Sequence, residues 1–288
     1  MHRAPAALGW MLAAAAIAAV LPPVAARAQS GAIALAAHRA VYDLRLANAR
    51  GKSPMQAVRG RILYDFSGSV CEGYALQFRQ VSELDSGEGK VTVSDLRATS
   101  WEEGAAKRLR FHSQNFFDQQ LRETVDGQAE RDNDSVAVQL TQPDGKSFDL
   151  KTDVVFPTEH VRRIIAAARD GKTLLELAVY DGSDNGEKVF DTLAVIGRAL
   201  APDEHRPEDA TAGQRAFQAL KRWPVTISYF DRASRDNKEK SGEQTPVYAI
   251  TFELYENGVS RALMLDYGDF VLSGELTSFE MKDVKPCP

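Results

Sequence analysis

Two cysteines carry the most pointed chemistry in this chain: Cys71 in "GSVCEGYALQF" and Cys287 in "DVKPCP", near opposite ends of the sequence. Such a pair has two uses. In an oxidising compartment an even cysteine count closes into a disulfide. The rival is a nucleophilic thiolate at Cys71, activated by a histidine such as His38 or His112. Zinc is disfavoured, because the chain has no CxxC and no histidine at ligand spacing.

The choice between bridge and nucleophile turns on where the chain resides. Its first residues, "MHRAPAALGWMLAAAAIAAVLPPVAARAQS", place Arg3 before an apolar run from Ala6 to Leu21 and then Ala26-Arg27-Ala28. A positive start, an apolar middle and a small-x-small end are the marks of an export signal. The run is shorter than the ~20 residues of a membrane-spanning helix. Residues 1–28 are therefore expected to be a signal peptide cleaved near Ala28, leaving residues 29–288 as one exported, periplasmic domain. No cysteine stands at the cleavage point, so no lipid anchor is expected. Cleavage removes Arg3, Arg27 and no acid, taking the formal net charge from −5 to −7. That excess of acid argues against nucleic acid or an anionic membrane surface as partner. Export makes the Cys71–Cys287 bridge the simpler use of the two sulfurs, with the thiol as the sharper alternative.

Other candidate chemistry is sparse. GxSxG, HExxH, P-loop and GxGxxG patterns are absent. "SGEGK" (Ser86–Lys90) lacks phosphate-loop spacing and reads as a strand turn. His38, His112, His160 and His205 are scattered and read as surface residues of strands or helices. In "DGSDNGE", Asp181, Ser183, Asn185 and Gly186 match the first positions of a calcium loop, but the twelfth is Thr192 where a bidentate glutamate is required. An acidic turn is the simpler reading. Glu102-Glu103 and Asp132/Asp134 are close carboxylates of the kind a glycosidase pairs, although solvated surface explains them equally well. No catalytic residue, cofactor or metal is assigned.

The elements that would position these residues are mostly strands. "RAVYDLRL" puts Ala40, Tyr42, Leu44 and Leu46 on one face, and "VRGRILYDF" does the same with Val58, Ile62, Tyr64 and Phe66. Tyr74, Leu76 and Phe78 follow. Alternation with period two recurs to residue 281, predicting about fourteen strands in an all-β fold. So many strands do not lie flat; the antiparallel sheet must curl or close. Pro143-Asp144-Gly145, Asn257-Gly258 and Gly268 mark hairpin turns. "FPTEHVRRIIAAARDGK" predicts a helix with Thr158 as N-cap and Gly171 as its stop. A second helix is predicted in "PEDATAGQRAFQALKRWP" and a polar surface loop over 231–245. The aromatic faces of the first strands, carrying Tyr42, Tyr64, Phe66, Tyr74 and Phe78, could line an enclosed ligand space.

The stretches "HRAVYDLRL", "GRILYDFSGSVCEGY", "FPTEHVRRIIAAARDGKTLLELAVYDGSDNGEKVF", "PVTISYFD" and "YENGVSRALMLDYGDFVLSGEL" resemble the envelope integrity protein B (EipB) family of Gram-negative periplasmic proteins. The likeness runs over about residues 36–287 and is weakest at 201–215 and 231–245. It implies a broken, spiral-like β-barrel with an apolar interior and a disulfide between an early strand and the C-terminus, at Cys71 and Cys287. It also implies a role in cell-envelope integrity without established enzymatic activity. The resulting expectation is a monomeric, non-enzymatic protein that holds a lipid-like or peptide ligand. A hydrolase of envelope polymers and a scaffold for another envelope protein are the alternatives.

Overall fold

The computed structural model describes residues 33–285 and 287, apart from 52, 88, 205–207, 212 and 234–243. The expected signal peptide at 1–28, His205 and most of the 231–245 loop lie outside the described residues.

Fifteen strands form one sheet. The first eight are β1 (His38–Ala49), β2 (Ala57–Ser69), β3 (Gly73–Asp85), β4 (Val91–Glu102), β5 (Arg108–Phe117), β6 (Gln120–Arg131), β7 (Val136–Gln142) and β8 (Lys146–Leu150). A short β9 (Val154–Val155) and the helix α1 (Pro157–Arg169) follow. The chain then returns through β10 (Leu174–Val179), β11 (Phe190–Ile196), β12 (Arg222–Asp231), β13 (Tyr248–Tyr255), β14 (Ser260–Asp266) and β15 (Phe270–Met281). Each strand pairs with its neighbour in sequence, except that β8 and β9 do not pair and β1 pairs with β15. All pairings are antiparallel save the two-residue β9–β10 contact. That strand is the addition to the fourteen predicted, since two residues carry no alternation.

β8 and β9 are thus the two edges of the sheet, yet residues 151–153 alone separate them in the chain. Four Cα steps reach no more than about 14 Å, so the sheet has to curl until its edges meet. They meet through side chains. The inner faces of β5–β7, with Phe111, Val125, Val138 and Leu140, bury Val154, Phe156, Ala178 and Tyr180 in one apolar cluster. The outcome is an all-β, nearly closed barrel with a packed seam. Arg131, at the end of β6, holds that seam: its guanidinium donates to the carbonyls of Ala106 (3.1 Å), Thr152 (3.0 Å) and Val154 (2.9 Å) and lies over the Phe156 ring.

The helix α1 fills the interior. Ile164, Ile165, Ala167 and Ala168 share a single apolar cluster with Leu44, Ile62, Val225 and Leu276 from the strands. Asp170 and then Gly171, at φ +72°, end the helix as the glycine stop predicts. Its start differs from expectation: Phe156 is the N-cap position, Pro157 opens the helix, and Thr158 lies within the first turn. The second predicted helix is also corrected. Only a 3₁₀ turn forms there, Arg215–Phe217, while Trp223 and Pro224 belong to β12. Trp223 alternates with Val225 and Ile227 on the buried face, so the period of two prevails over the helical spacing.

Cys71, just after β2, and Cys287, beyond β15, are disulfide-bonded, with Cα atoms 5.8 Å apart. Between those strands lies β1, which pairs with both. In the chain-entropy account, a bridge closing so long a loop contributes at most about 5 kcal/mol by restricting the unfolded chain. Replacing both cysteines by serine should lower the melting temperature by several degrees, and reductant should then have no further effect; calorimetry with and without reductant checks both. At the seam, Arg131→Met keeps the aliphatic packing but loses the three carbonyl bonds. Hydrogen exchange should accelerate in β8 and β9 and stay unchanged in β1–β4.

Candidate functional site

Inside the barrel lies a cavity of about 610 Å³, within the range of small-ligand sites. Alternation on β1–β3 builds one wall: Tyr42, Ile62, Tyr64, Phe66, Tyr74, Leu76 and Phe78 all face inward. All five aromatic residues singled out in the sequence therefore meet here. Tyr74 stacks on Phe66 (5.4 Å between centroids) and Tyr64 on His38 (5.4 Å). The facing wall comes from β12–β14, where Tyr229 and Tyr248 are 5.8 Å apart and Tyr248 leads on to Tyr267 at 5.1 Å.

The hydroxyls on these rings matter more than the rings' count. Tyr42 donates to the Ser260 carbonyl at 2.7 Å. Tyr64, Tyr229 and Tyr248 have no hydrogen-bond acceptor among the described residues, and all three line the cavity. Burial pushes the Tyr64 phenol up to about 12 and those of Tyr229 and Tyr248 up as well. Each is a neutral hydroxyl ready to serve a polar atom of an occupant.

A third wall is made by β5, the start of α1 and the turn after β10. The turn contains the calcium-like stretch. It joins two strands, and its side chains cap their own backbone: Asp181 Oδ1 accepts from Ser183 N at 2.9 Å and Asn185 Oδ1 from Glu187 N at 3.1 Å. Thr192, at the twelfth position, donates to the Leu177 carbonyl instead. Gly182 is needed at its place. It has φ +71°, and a Cβ there would stand 2.3 Å from the Phe111 ring. The turn is thereby pressed onto β5, which brings Asp181 to the cavity wall.

The start of α1 is held from across the barrel. Glu102, at the end of β4, accepts from Thr158 N (2.6 Å) and Glu159 N (2.8 Å), so a distant carboxylate satisfies the first orphan donors of the helix. Burial pushes its carboxyl up to about 7 against the downward pull of those two N–H groups. One turn on, His160 is buried beside Thr192, and burial, reinforced by Arg163, lowers it to about 4.

Several sequence readings change here. His38 and His160 are buried, not surface residues. Both stand in the phase of apolar neighbours, His38 with Ala40 and Tyr42, and His160 with Ile164. His112 pairs with Asp126 at 3.1 Å on β6. Of the adjacent carboxylates, Glu102 is committed to the helix, while Asp132 accepts from Asp134 N and Ser135 N in a turn. Cys71 Sγ is bonded to Cys287 Sγ and offers no thiolate. Arg261, only 1% exposed, binds Asp209 at 2.9 Å and the Tyr255 hydroxyl, tying Asp209 to the barrel. Sequence reading missed it, although a signal existed: Val259, Arg261, Leu263 and Leu265 alternate on one face, with an arginine at an apolar phase.

Comparison with known proteins agrees with this geometry. The EipB-like family model matches residues 29–283, and the chain belongs to that family. It is 36% identical, over 90% of its length and 88% of the relative's, to the cell envelope integrity protein EipB of Brucella abortus (strain 2308). It also superposes, with a TM-score of 0.77 and 35% identity, on the crystal structure of a β-barrel-like protein of domain of unknown function DUF1849 from Brucella abortus. That match covers 86% of this chain and 99% of the other.

Glu102 and His160 give opposed pH dependences. The folded carboxyl titrates near 7 and its ordinary value is 4.5. Between these the folded state keeps a proton that the unfolded chain has lost, so stability falls as pH rises. For His160 the values are about 4 folded and 6.5 ordinarily, so stability falls as pH drops through that window. Glu102→Gln should therefore unmask acid lability between pH 6.5 and 4.5, and His160→Gln should show the reverse slope. Each slope approaches about 1.4 kcal/mol per pH unit at most, and denaturant titrations at several pH values measure it.

Proposed function

We propose that this member of the EipB-like family works in the periplasm, exported by its N-terminal signal, and supports the cell envelope by holding an apolar ligand inside its barrel. The observation that carries the reading is the aromatic-walled cavity of about 610 Å³ with three tyrosine hydroxyls that have no protein acceptor among the described residues. A core built only for stability closes on itself, because voids forfeit packing contacts and cost free energy. Export is supported by the disulfide, since such bonds persist in oxidising compartments. The envelope role is supported by the 36% identical relative, a cell envelope integrity protein. The chemistry is carriage or sensing of a ligand, with no bond made or broken. Among the described residues no helix is long and apolar enough to cross a membrane.

Ala98 lines the cavity from β4, opposite Phe78 of β3. Ala98→Trp, the filled variant, should put an indole into the space and obstruct it while leaving the strand ladder in place. Deleting the gene should sensitise the bacterium to detergent and to cell-wall antibiotics. Wild type should restore resistance, and the filled variant, expressed at equal level, should not. Full rescue by the filled variant would separate the envelope role from the cavity.

A further inference from the structure

The charges around the cavity are one-sided. Among the described residues no lysine or arginine lines it, whereas Asp181, Asp184 and Glu123 do. Asp184 is neutralised from outside by Lys188 at 2.8 Å. Asp181, half-buried, has no cation partner among the described residues; its hydrogen bonds come from its own turn, from the Ser183 N–H at 2.9 Å, the Ser183 hydroxyl and its own N–H. Burial raises its carboxyl above the ordinary value. Farther along β5 on the same wall, Asn115 keeps a buried Oδ1 with no donor. Of the three imidazoles at the cavity, burial depresses His38 and His160, and His112 is engaged by the Asp126 carboxylate at 3.1 Å.

A buried carboxylate without a countercharge costs free energy, and so does a buried acceptor without a donor. An occupant bringing a positive charge to Asp181 relieves the first. The aromatic residues suit the same charge: Tyr229 lies close enough to Asp181 to feel its field, and ring faces attract ammonium groups. A carboxylate or phosphate head would meet the opposite, with acceptors and negative charge on the wall and no lysine or arginine to pair with among the described residues.

We propose that the cavity selects an amphiphile with a protonated amine head, its apolar chain against the aromatic walls and its ammonium beside Asp181. This rests on the ligand-holding reading above and specifies the class of ligand. Asp181 is then a specificity-determining residue, kept at the wall by the Gly182 turn although the empty protein would be more stable without its charge.

The test uses purified protein spanning residues 29–288 and three probes with one chain and different heads: dodecylamine, dodecanoate and dodecanol, each below its micellar concentration. Displacement of a fluorescent apolar reporter, backed by calorimetry, gives the affinities. Dodecylamine should bind at least about tenfold tighter than dodecanol, the effect of a charge-assisted hydrogen bond, and dodecanoate should bind weakest. Asp181→Asn keeps the acceptor for Ser183 N and removes the charge. It should erase most of the amine preference, leave dodecanol binding unchanged, and leave the melting temperature of the empty protein equal or higher. Equal binding of all three heads, or tighter binding of dodecanoate, overturns the amine selectivity while keeping the cavity as a ligand site. An amine preference that survives Asp181→Asn overturns the role of Asp181. Binding of none of the three removes the selectivity and the ligand-holding reading together.

Discussion

The structure depends on the pairing of its first strand with its last. β1 and β15 run antiparallel from His38 opposite Met281 to Ala49 opposite Phe270. Without that ladder the chain would be two meanders, β1–β8 and β9–β15, each with unpaired edges of the kind that invite aggregation. With it, the sheet has only two edges, and those edges are the strands flanking a three-residue link. Closure into a barrel is then a consequence of chain connectivity. Pairings between residues more than 200 positions apart are also entropically demanding to form. The disulfide sits beside this ladder and restricts the unfolded ends whose meeting it requires.

The barrel is closed by two kinds of force. Around most of its circumference a backbone ladder does the work, and at the seam side-chain packing and one arginine replace it. Arg131 takes over the role of missing strand partners by donating to three carbonyls that would otherwise face a gap. Such a seam is tolerant of shape, because packing lacks the fixed spacing of a ladder. It allows the sheet to remain wide enough for α1 and a cavity, where fully regular closure with fifteen strands would impose one diameter.

Buried charge in this protein is mostly answered by charge or by backbone. Arg261 meets Asp209, Arg222 meets Glu253 at 2.6 Å, and Glu102 meets the first turn of α1. These pairs fix loops and the helix in register; their net contribution to stability is small, because desolvation offsets attraction. Asp181 differs in facing the cavity with only the donors of its own turn and no cation among the described residues. Its surroundings resemble a binding site awaiting a countercharge more than a finished core.

Local alternation was enough to read the strands, the inward set Tyr42, Tyr64, Phe66, Tyr74 and Phe78, the helix that runs from Pro157, and the hairpins at Gly145, Gly258 and Gly268. Those features follow from neighbouring residues alone, through side-chain period and turn dihedrals. It failed where a distant group decides. Thr158 looked like an N-cap until Glu102 took that function from across the barrel. Phe217, Leu220 and Trp223 had helical spacing, but β12 needed Trp223 and Val225 on its inner face. β9 exists only because β10 offers it an edge. His38 shares the phase of Ala40, Tyr42 and Leu44, and His160 that of Ile164, so their burial was legible in the spacing and was overlooked because the side chains are polar. The amino-acid order thus determined which segments are strands and which face of each is apolar. The tertiary structure alone decided where the edges meet, what caps the helix, and that an uncompensated Asp181 faces the cavity, since all three depend on contacts between residues far apart in the chain.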